Sequence, residues 1–236
     1  MNETLAVIMP VYNEESAIAA VIEKWVRALD ALRVAYEIHA YNDGSKDTSL
    51  RILNSLAQQH PQVRVHDKKN SGHGPTILLG YRENAGRHTW LFQMDSDDEM
   101  GPESFATLWE NRQHHDFLIG TRDGRHQPLS RKVVSFVSRL CVRVFYGKGV
   151  WDVNSPYRLM RSEKFARVYN AIPADTFAPN IIISGMAARL GLRFFECPVP
   201  HENRKTGTVS IKKWKLFKAA ARSFAQAVAY ARKPNP

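Results

Sequence analysis

Three short polar segments carry the residues best suited to chemistry. They are Pro10-Val11-Tyr12-Asn13-Glu14-Glu15, Asn42-Asp43-Gly44-Ser45-Lys46-Asp47 and Asp95-Ser96-Asp97-Asp98-Glu99. Asp95, Asp97 and Glu99 offer hard oxygens that can share a Mg2+ or Mn2+, and such an ion bridges a diphosphate. The cation offsets repulsion between carboxylates and phosphates, and as a Lewis acid it stabilises a departing nucleoside diphosphate. Asp43, acceptor-only when ionised, suits the N–H edge of uracil or guanine. Each segment also has a plainer reading. Asn-Asp-Gly-Ser is a good turn, Asp47 a helix cap, and Asp98 and Glu99 favour the start of a following helix. Other phosphate devices are missing: there is no GxxxxGK[ST], and Gly72-His73-Gly74 does not continue as GxGxxG. That excludes the usual signatures of an NTP hydrolase or a nicotinamide enzyme.

The elements that must position these segments alternate. The apolar run 5–9, ended by Pro10, suits a strand buried on both faces. Residues 16–32 follow with Ile18, Val21, Ile22, Trp25, Val26 and Leu29 at helical spacing. The pattern continues with strands at 36–41, 63–66, 89–94 and 117–119 and helices at 47–59, 74–86 and from Pro102. Beyond residue 122 it decays into a polar loop, a helix over 131–146, a strand at 157–160, helices at 162–171 and 179–190, a strand at 193–196 and a final helix over 211–231. Repeated β-α units require crossover helices and a mostly parallel sheet. In such a doubly wound sheet the three polar segments fall just past strand carboxyl ends, where ligands bind.

The chain has 236 residues, 44% hydrophobic and 24% charged, which suits one α/β domain and excludes a wholly disordered chain. Its net charge of +10 is a C-terminal property. Residues 1–200 carry 24 basic against 22 acidic side chains, whereas residues 201–236 carry nine against the single Glu202. Cys141 and Cys197 show no zinc spacing; the alternatives are a single disulfide and two buried thiols in a reducing cytosol, of which the second is favoured. The start Met1-Asn2-Glu3-Thr4 lacks the basic segment of a signal peptide, and no run reaches the ~18 apolar residues of a membrane span. The expectation is a cytoplasmic chain, peripheral at the inner face of a membrane.

The motifs carry a resemblance. Ile8-Met9-Pro10-Val11-Tyr12-Asn13-Glu14-Glu15, Asn42-Asp43-Gly44-Ser45 and Asp95-Ser96-Asp97, in that order and spacing, resemble the signatures of family-2 glycosyltransferases, which have the GT-A fold. Within that family the chain is most similar to polyprenyl-phosphate sugar transferases of the dolichyl-phosphate mannose synthase type. Ile119-Gly120-Thr121-Arg122, Pro128-Leu129-Ser130-Arg131-Lys132, Asp152-Val153-Asn154-Ser155-Pro156-Tyr157-Arg158 and Arg204-Lys205-Thr206-Gly207 carry that similarity, over about residues 5–212. The implied fold is a Rossmann-like, mostly parallel sheet flanked by helices, with a GT-A domain over 1–210 and a basic amphipathic helix and tail over 211–236. The resemblance implies that Pro10, Tyr12, Glu14 and Asp43, with Ser96, hold the nucleotide and that Asp95, Asp97 and Glu99 hold the metal. Arg122, Arg131 and Arg204 would face phosphates of donor or acceptor. Departures touch substrate detail. Glu99 stands where mannose synthases usually have Gln, Asn42 replaces a common Asp, and Pro156 replaces a usual Gly. The Gly-x-Ser-Lys ending becomes Gly207-Thr208-Val209-Ser210, leaving Lys212 as a substitute.

The family transfers with inversion. A hydroxyl acceptor needs a general base, and Asp152 stands in the right region; alternatively it is a structural carboxylate paired to Arg158. A lipid phosphate is already anionic and needs alignment and charge screening, which Arg131, Arg204 and Lys212 can supply. Arg131 at a helix start opposes the helix dipole, which an anionic partner offsets. Histidines receive no role. In the last helix Trp214, Phe217, Ala221, Phe224 and Val228 share a face flanked by Lys212, Lys215, Lys218 and Arg222. Residues 131–146 repeat the theme with Val133, Phe136, Val137, Leu140 and Val144 beside Arg131, Lys132, Arg139 and Arg143. Such faces suit an anionic membrane surface or pack on the core or on a partner, whether a second copy or a membrane protein. The expected partners are a nucleotide sugar and a polyprenyl phosphate, or a saccharide hydroxyl as acceptor. A non-catalytic binder of anionic surfaces or nucleic acid is the competing class, and an acidic crevice without a helix-turn-helix or RNA-binding signature opposes nucleic acid.

Overall fold

A computed structural model describes residues 3–123, 129–201, 213–234 and 236; of residues 123, 129–134 and 213–220 it describes the backbone alone. Among the described residues seven strands form one sheet: β1 (Thr4–Val11), β2 (Ala35–Asp43), β3 (Val63–Lys68), β4 (Trp90–Gln93), β5 (Phe117–Asp123), β6 (Arg158–Arg161) and β7 (Phe194–Pro200). Their order is β3-β2-β1-β4-β6-β5-β7, and only β6 runs against its neighbours. The helices among the described residues are α1 (Ile18–Ala31), α2 (Ser49–Gln59), α3 (His73–Asn84), α4 (Phe105–Asn111), α5 (Leu129–Phe145), α6 (Ser162–Ala171), α7 (Pro179–Arg189) and α8 (Lys213–Ala231). None is long and apolar enough to cross a membrane.

The continuous apolar run of β1 serves two cores. Leu5, Val7 and Met9 point into a core shared with α1, α2 and α4, while Ala6 and Ile8 point into one shared with α3 and α5 to α8. In the first core Trp25 lies 5.3 Å from Phe92 and 5.7 Å from Phe105 between ring centroids. Its truncation to alanine costs about 3–5 kcal/mol by the general scale for buried aromatics. In the second, α3 lies unusually close to the sheet. A Cβ on Gly80 would meet Ile8 Cγ2 at 2.4 Å, so only glycine permits that approach.

Three expectations change in detail. Pro10 lies inside β1, opposite Tyr41 of β2, instead of ending the strand. The pairing of β4 with β1 stops at Ile8–Gln93, so the missing N–H of Pro10 falls beyond β4. Pro102 opens a 3-10 turn, Pro102–Ser104, and the α-helix begins at Phe105. The last helix buries Ser223, Ala227, Tyr230 and Ala231, a different stripe from the aromatic one, while Phe224 remains exposed. Tyr146 of the α5 terminus donates to the Ala227 carbonyl at 2.6 Å, tying the two helices together. The apolar stripe of α5 stays outside: Phe136, Val137, Leu140 and Val144 are all exposed.

Candidate active site

Because β2 and β4 flank β1, the polar segments after these three strands meet at the switch point of the sheet. The first two are laced together. Asn13 donates its amide to Ser45 Oγ (3.0 Å) and accepts from the Lys46 amide (2.7 Å). Glu15 accepts from the amide and hydroxyl of Thr48 (2.9 and 2.7 Å), and its own amide donates to Asp47 (3.1 Å). These bonds hold the Glu15 carboxyl below its usual pKa. The Glu14 amide donates to Ser49 Oγ at 2.8 Å, and the Glu14 carbonyl accepts from Ile18 at 2.9 Å, starting α1. Asn13 and Asp98 turn the chain in the left-handed region (φ 54 and 56), a conformation that short polar side chains tolerate. Gly44 does the same at φ 66, where a Cβ would meet the Asn70 amide nitrogen at 2.9 Å.

Asp43, at the end of β2, is buried and braces the segment before α3. It forms an ion pair with Lys68 and accepts from the amides of Ser71 and Gly72, each at 2.8 Å. Burial works against its ionisation, but Lys68 and the two amides outweigh it and hold the carboxyl below the ordinary range. The carboxylate thus sits at the N-terminus of α3, where the helix dipole favours negative charge. Its oxygens already serve the fold, which leaves little capacity for a base edge.

Asp95, Asp97 and Glu99 line one cleft with Met94, Met100, Arg122, Pro156, Tyr157 and His201, enclosing about 100 Å³. Each carboxylate has its own neighbour. Asp95 lies 3.0 Å from His73 Nε2, Glu99 lies 3.0 Å from His201 Nε2, and the Asp97 carboxylate accepts from the Glu99 amide at 3.3 Å. Burial opposes ionisation of Asp95, but His73 and, further off, Arg122 lower its pKa. The three are not drawn within 4.8 Å of one another as a ready metal trio. Like charges repel at such distances, which opposes their gathering without an ion between them. The donor set is three hard carboxylates, with an imidazole beside two of them, and hard oxygens fit Mg2+ or Mn2+.

Arg122, at the end of β5, also lines the cleft and forks onto Asp152, with Nε and Nη2 donating at 2.7 and 2.8 Å. The partner expected for Asp152 was Arg158. That guanidinium is fully buried instead, donating to the Ser155 carbonyl (2.8 and 2.6 Å), to the carbonyls of Asn180 and Val153 (both 3.2 Å) and, at 3.4 Å, to Ser184 Oγ. Burial lowers its pKa.

Of the residues singled out in the sequence, Asp95, Asp97, Glu99 and Arg122 line the cleft, and Asp152 pairs with Arg122. Ser96 is buried beside the cleft, Tyr12 is exposed above β1, and Pro10 is buried in the strand. Arg131 lies in the first turn of α5 with its side chain outside the described residues, and Arg204 and Lys212 lie outside them altogether. His73 and His201 are the residues the sequence reading left without a role. Their carboxylate partners, Asp95 and Glu99, lie far off along the chain and were not visible in it.

A doubly wound sheet with an acidic cleft at its switch point is one class of nucleotide-binding architecture, and the comparisons define it further. The model of glycosyl transferase family 2 matches residues 6–172, and the chain belongs to that family. It is 28% identical over 206 residues to an undecaprenyl-phosphate 4-deoxy-4-formamido-L-arabinose transferase of Edwardsiella ictaluri, covering 86% of this chain and 61% of the relative. Its counterpart in Pectobacterium carotovorum is 27% identical over 218 residues, covering 91% and 64%. The chain thus spans less than two thirds of these relatives' length. Among solved structures, glucosyl-3-phosphoglycerate synthase from Mycobacterium tuberculosis, in complex with Mn2+, uridine diphosphate and phosphoglyceric acid, superposes with a TM-score of 0.72 at 17% identity. That superposition covers 99% of this chain and 80% of the other, a likeness of fold.

Proposed function

We propose that the chain moves a sugar from a nucleotide-diphosphate donor to a polyprenyl phosphate at the cytosolic face of a membrane, with inversion at the anomeric carbon. The observation that carries this reading is the cleft itself, lined by Asp95, Asp97 and Glu99 together with Arg122, which forks onto Asp152. The names of the undecaprenyl-phosphate relatives support the choice of acceptor.

Asp95, Asp97 and Glu99 would hold Mg2+ or Mn2+, and the bound ion neutralises the diphosphate and stabilises its departure. Tyr12, Pro10, Glu14, Asp43 and Ser96 surround the nucleotide. Asp43 acts mainly by fixing the 68–72 segment against which the nucleotide lies. Arg122 stands ready to meet a phosphate, held in register by Asp152. A carboxylate already accepting two guanidinium bonds is a weak proton acceptor. That favours an acceptor needing no base, as a phosphate monoester does not. Arg131, Arg204 and Lys212 are assigned to the acceptor phosphate from their sequence positions. The exposed Phe136, Val137, Leu140 and Val144 of α5, with exposed Trp151 and Phe224, offer an apolar surface for a bilayer, flanked by Arg139 and Arg143.

The test incubates the purified chain with labelled UDP- and GDP-sugars, Mn2+ and liposomes holding undecaprenyl phosphate. Label moving into the lipid phase supports the reading. Label on an added oligosaccharide instead would assign the acceptor to a saccharide hydroxyl, and label remaining wholly on the donor would overturn transfer.

A further inference from the structure

A second polar cluster lies far from the cleft, at the other end of α3. Glu37 and His39 project from the same face of β2, two residues apart, and His88 comes from the turn between α3 and β4. One ligand atom from each lies within 4.8 Å of the others, and no other trio of His, Cys, Asp or Glu among the described residues is so close. His73, which touches the cleft, opens α3, and the helix ends at Asn84, about 18 Å away at 1.5 Å per residue.

We propose that Glu37, His39 and His88 form a binding site for a divalent transition-metal ion of the zinc type, separate from the acidic cleft.

The distances favour a metal over a hydrogen bond. Glu37 Oε2 lies 3.3 Å from His39 Nε2 and 3.4 Å from His88 Nε2. Charge-assisted hydrogen bonds shorten to about 2.7–2.9 Å. A tetrahedral ion with ligands at about 2.0–2.1 Å has edges of about 3.3–3.4 Å, which the two separations from Glu37 match. His39 is 5% exposed, and its buried Nε2 has Glu37 Oε2 nearby at 3.3 Å but makes no well-formed hydrogen bond. A buried nitrogen whose hydrogen bond is poorly formed gains stability from a better-placed partner.

The surroundings are those of metal ligands held by supporting partners. His39 Nδ1 lies 3.0 Å from His66 Nε2, which leaves His39 Nε2 as the free lone pair when Nδ1 carries the proton. His66 is itself fixed by stacking on Tyr41 at 4.3 Å. Arg64 donates twice to Glu37 Oε1, at 3.0 and 2.9 Å, and turns Oε2 toward the imidazoles. Glu37 is 32% and His88 11% exposed, so the site opens to solvent on one side. Two imidazoles and one carboxylate leave a fourth position for water and select zinc-like ions over Mg2+. A bound ion would clamp the α3–β4 turn onto β2.

The test titrates the chelator-treated full chain with Co2+ alone, read by visible absorption, in wild type, His88→Ala, His66→Phe and Asp97→Asn. Wild type and Asp97→Asn should each bind one Co2+ with the intense spectrum of tetrahedral coordination, displaced by Zn2+. His88→Ala should lose that spectrum, and His66→Phe should weaken binding about 10–100-fold. His88 sits near the surface in a turn, and circular dichroism checks that its removal leaves the fold intact. A pale octahedral spectrum, equal binding by wild type and His88→Ala, or loss of the signal in Asp97→Asn would each overturn the proposal.

Discussion

Two groups of ionisable residues sit on the same sheet and are arranged oppositely. Toward its amino end, two imidazoles and a carboxylate lie within 4.8 Å of one another. At its carboxyl end Asp95, Asp97 and Glu99 share a cleft yet remain apart, two of them beside histidines 3.0 Å away. The difference is charge. Neutral imidazoles can be packed against a carboxylate at little electrostatic cost, whereas three carboxylates cannot be gathered without cations. A cluster with its donors already converged suits an ion that stays. A cleft with its carboxylates spread suits one that arrives with its substrate.

The largest effect that could break this contrast is at Asp97. Asp97→Asn should lower sugar transfer by on the order of 10²–10³-fold with Mn2+ present, the scale of several kcal/mol of charge stabilisation. Its urea midpoint should stay near that of wild type. Next comes Asp43, read here as a brace. Asp43→Asn removes the charged partner of Lys68 and should cost about 2 kcal/mol at pH 7 by urea denaturation. Because the folded pKa lies below the unfolded value of about 3.9, this contribution is complete above that pH. It is lost as pH falls through the folded value, so wild type and variant should converge in acid. Asp152 sharpens the acceptor. Asp152→Asn should change kcat less than ~10-fold on a polyprenyl phosphate, whereas loss of a general base costs about 10²–10⁴-fold. The smallest effect is expected at Glu37, which is partly exposed. In metal-free buffer, Glu37→Gln should shift stability by no more than about 1 kcal/mol, the worth of a surface ion pair.

Much of this was readable from the chain. The unbroken apolar run of β1 announced burial on both faces, and Val7 and Ile8 do enter different cores. The polar segments after β1, β2 and β4 announced one edge. The strand direction of β6 was not readable, because four residues have no direction in their pattern. The helical wheel of α8 identified an apolar face but not which side packs. Small Ala227 and Ala231, with Tyr230, face the core, while Phe224 faces out. Pairings across the sheet were hidden for a similar reason. Arg122 and Asp152 are thirty residues apart, and the salt bridge between them depends on how the loop before β6 returns. Glu37 and His39 showed strand spacing, but His88 reaches them only because α3 carries the chain back across the sheet.

Calorimetric titration of UDP and GDP into the full chain, with and without Mn2+, in wild type and Asp97→Asn, tests the central claim most directly. One nucleotide should bind wild type in the presence of Mn2+, weaken sharply without it and fail to recover in Asp97→Asn. Nucleotide binding of equal strength with and without the ion, unchanged by Asp97→Asn, would contradict a cation-dependent donor site in the acidic cleft.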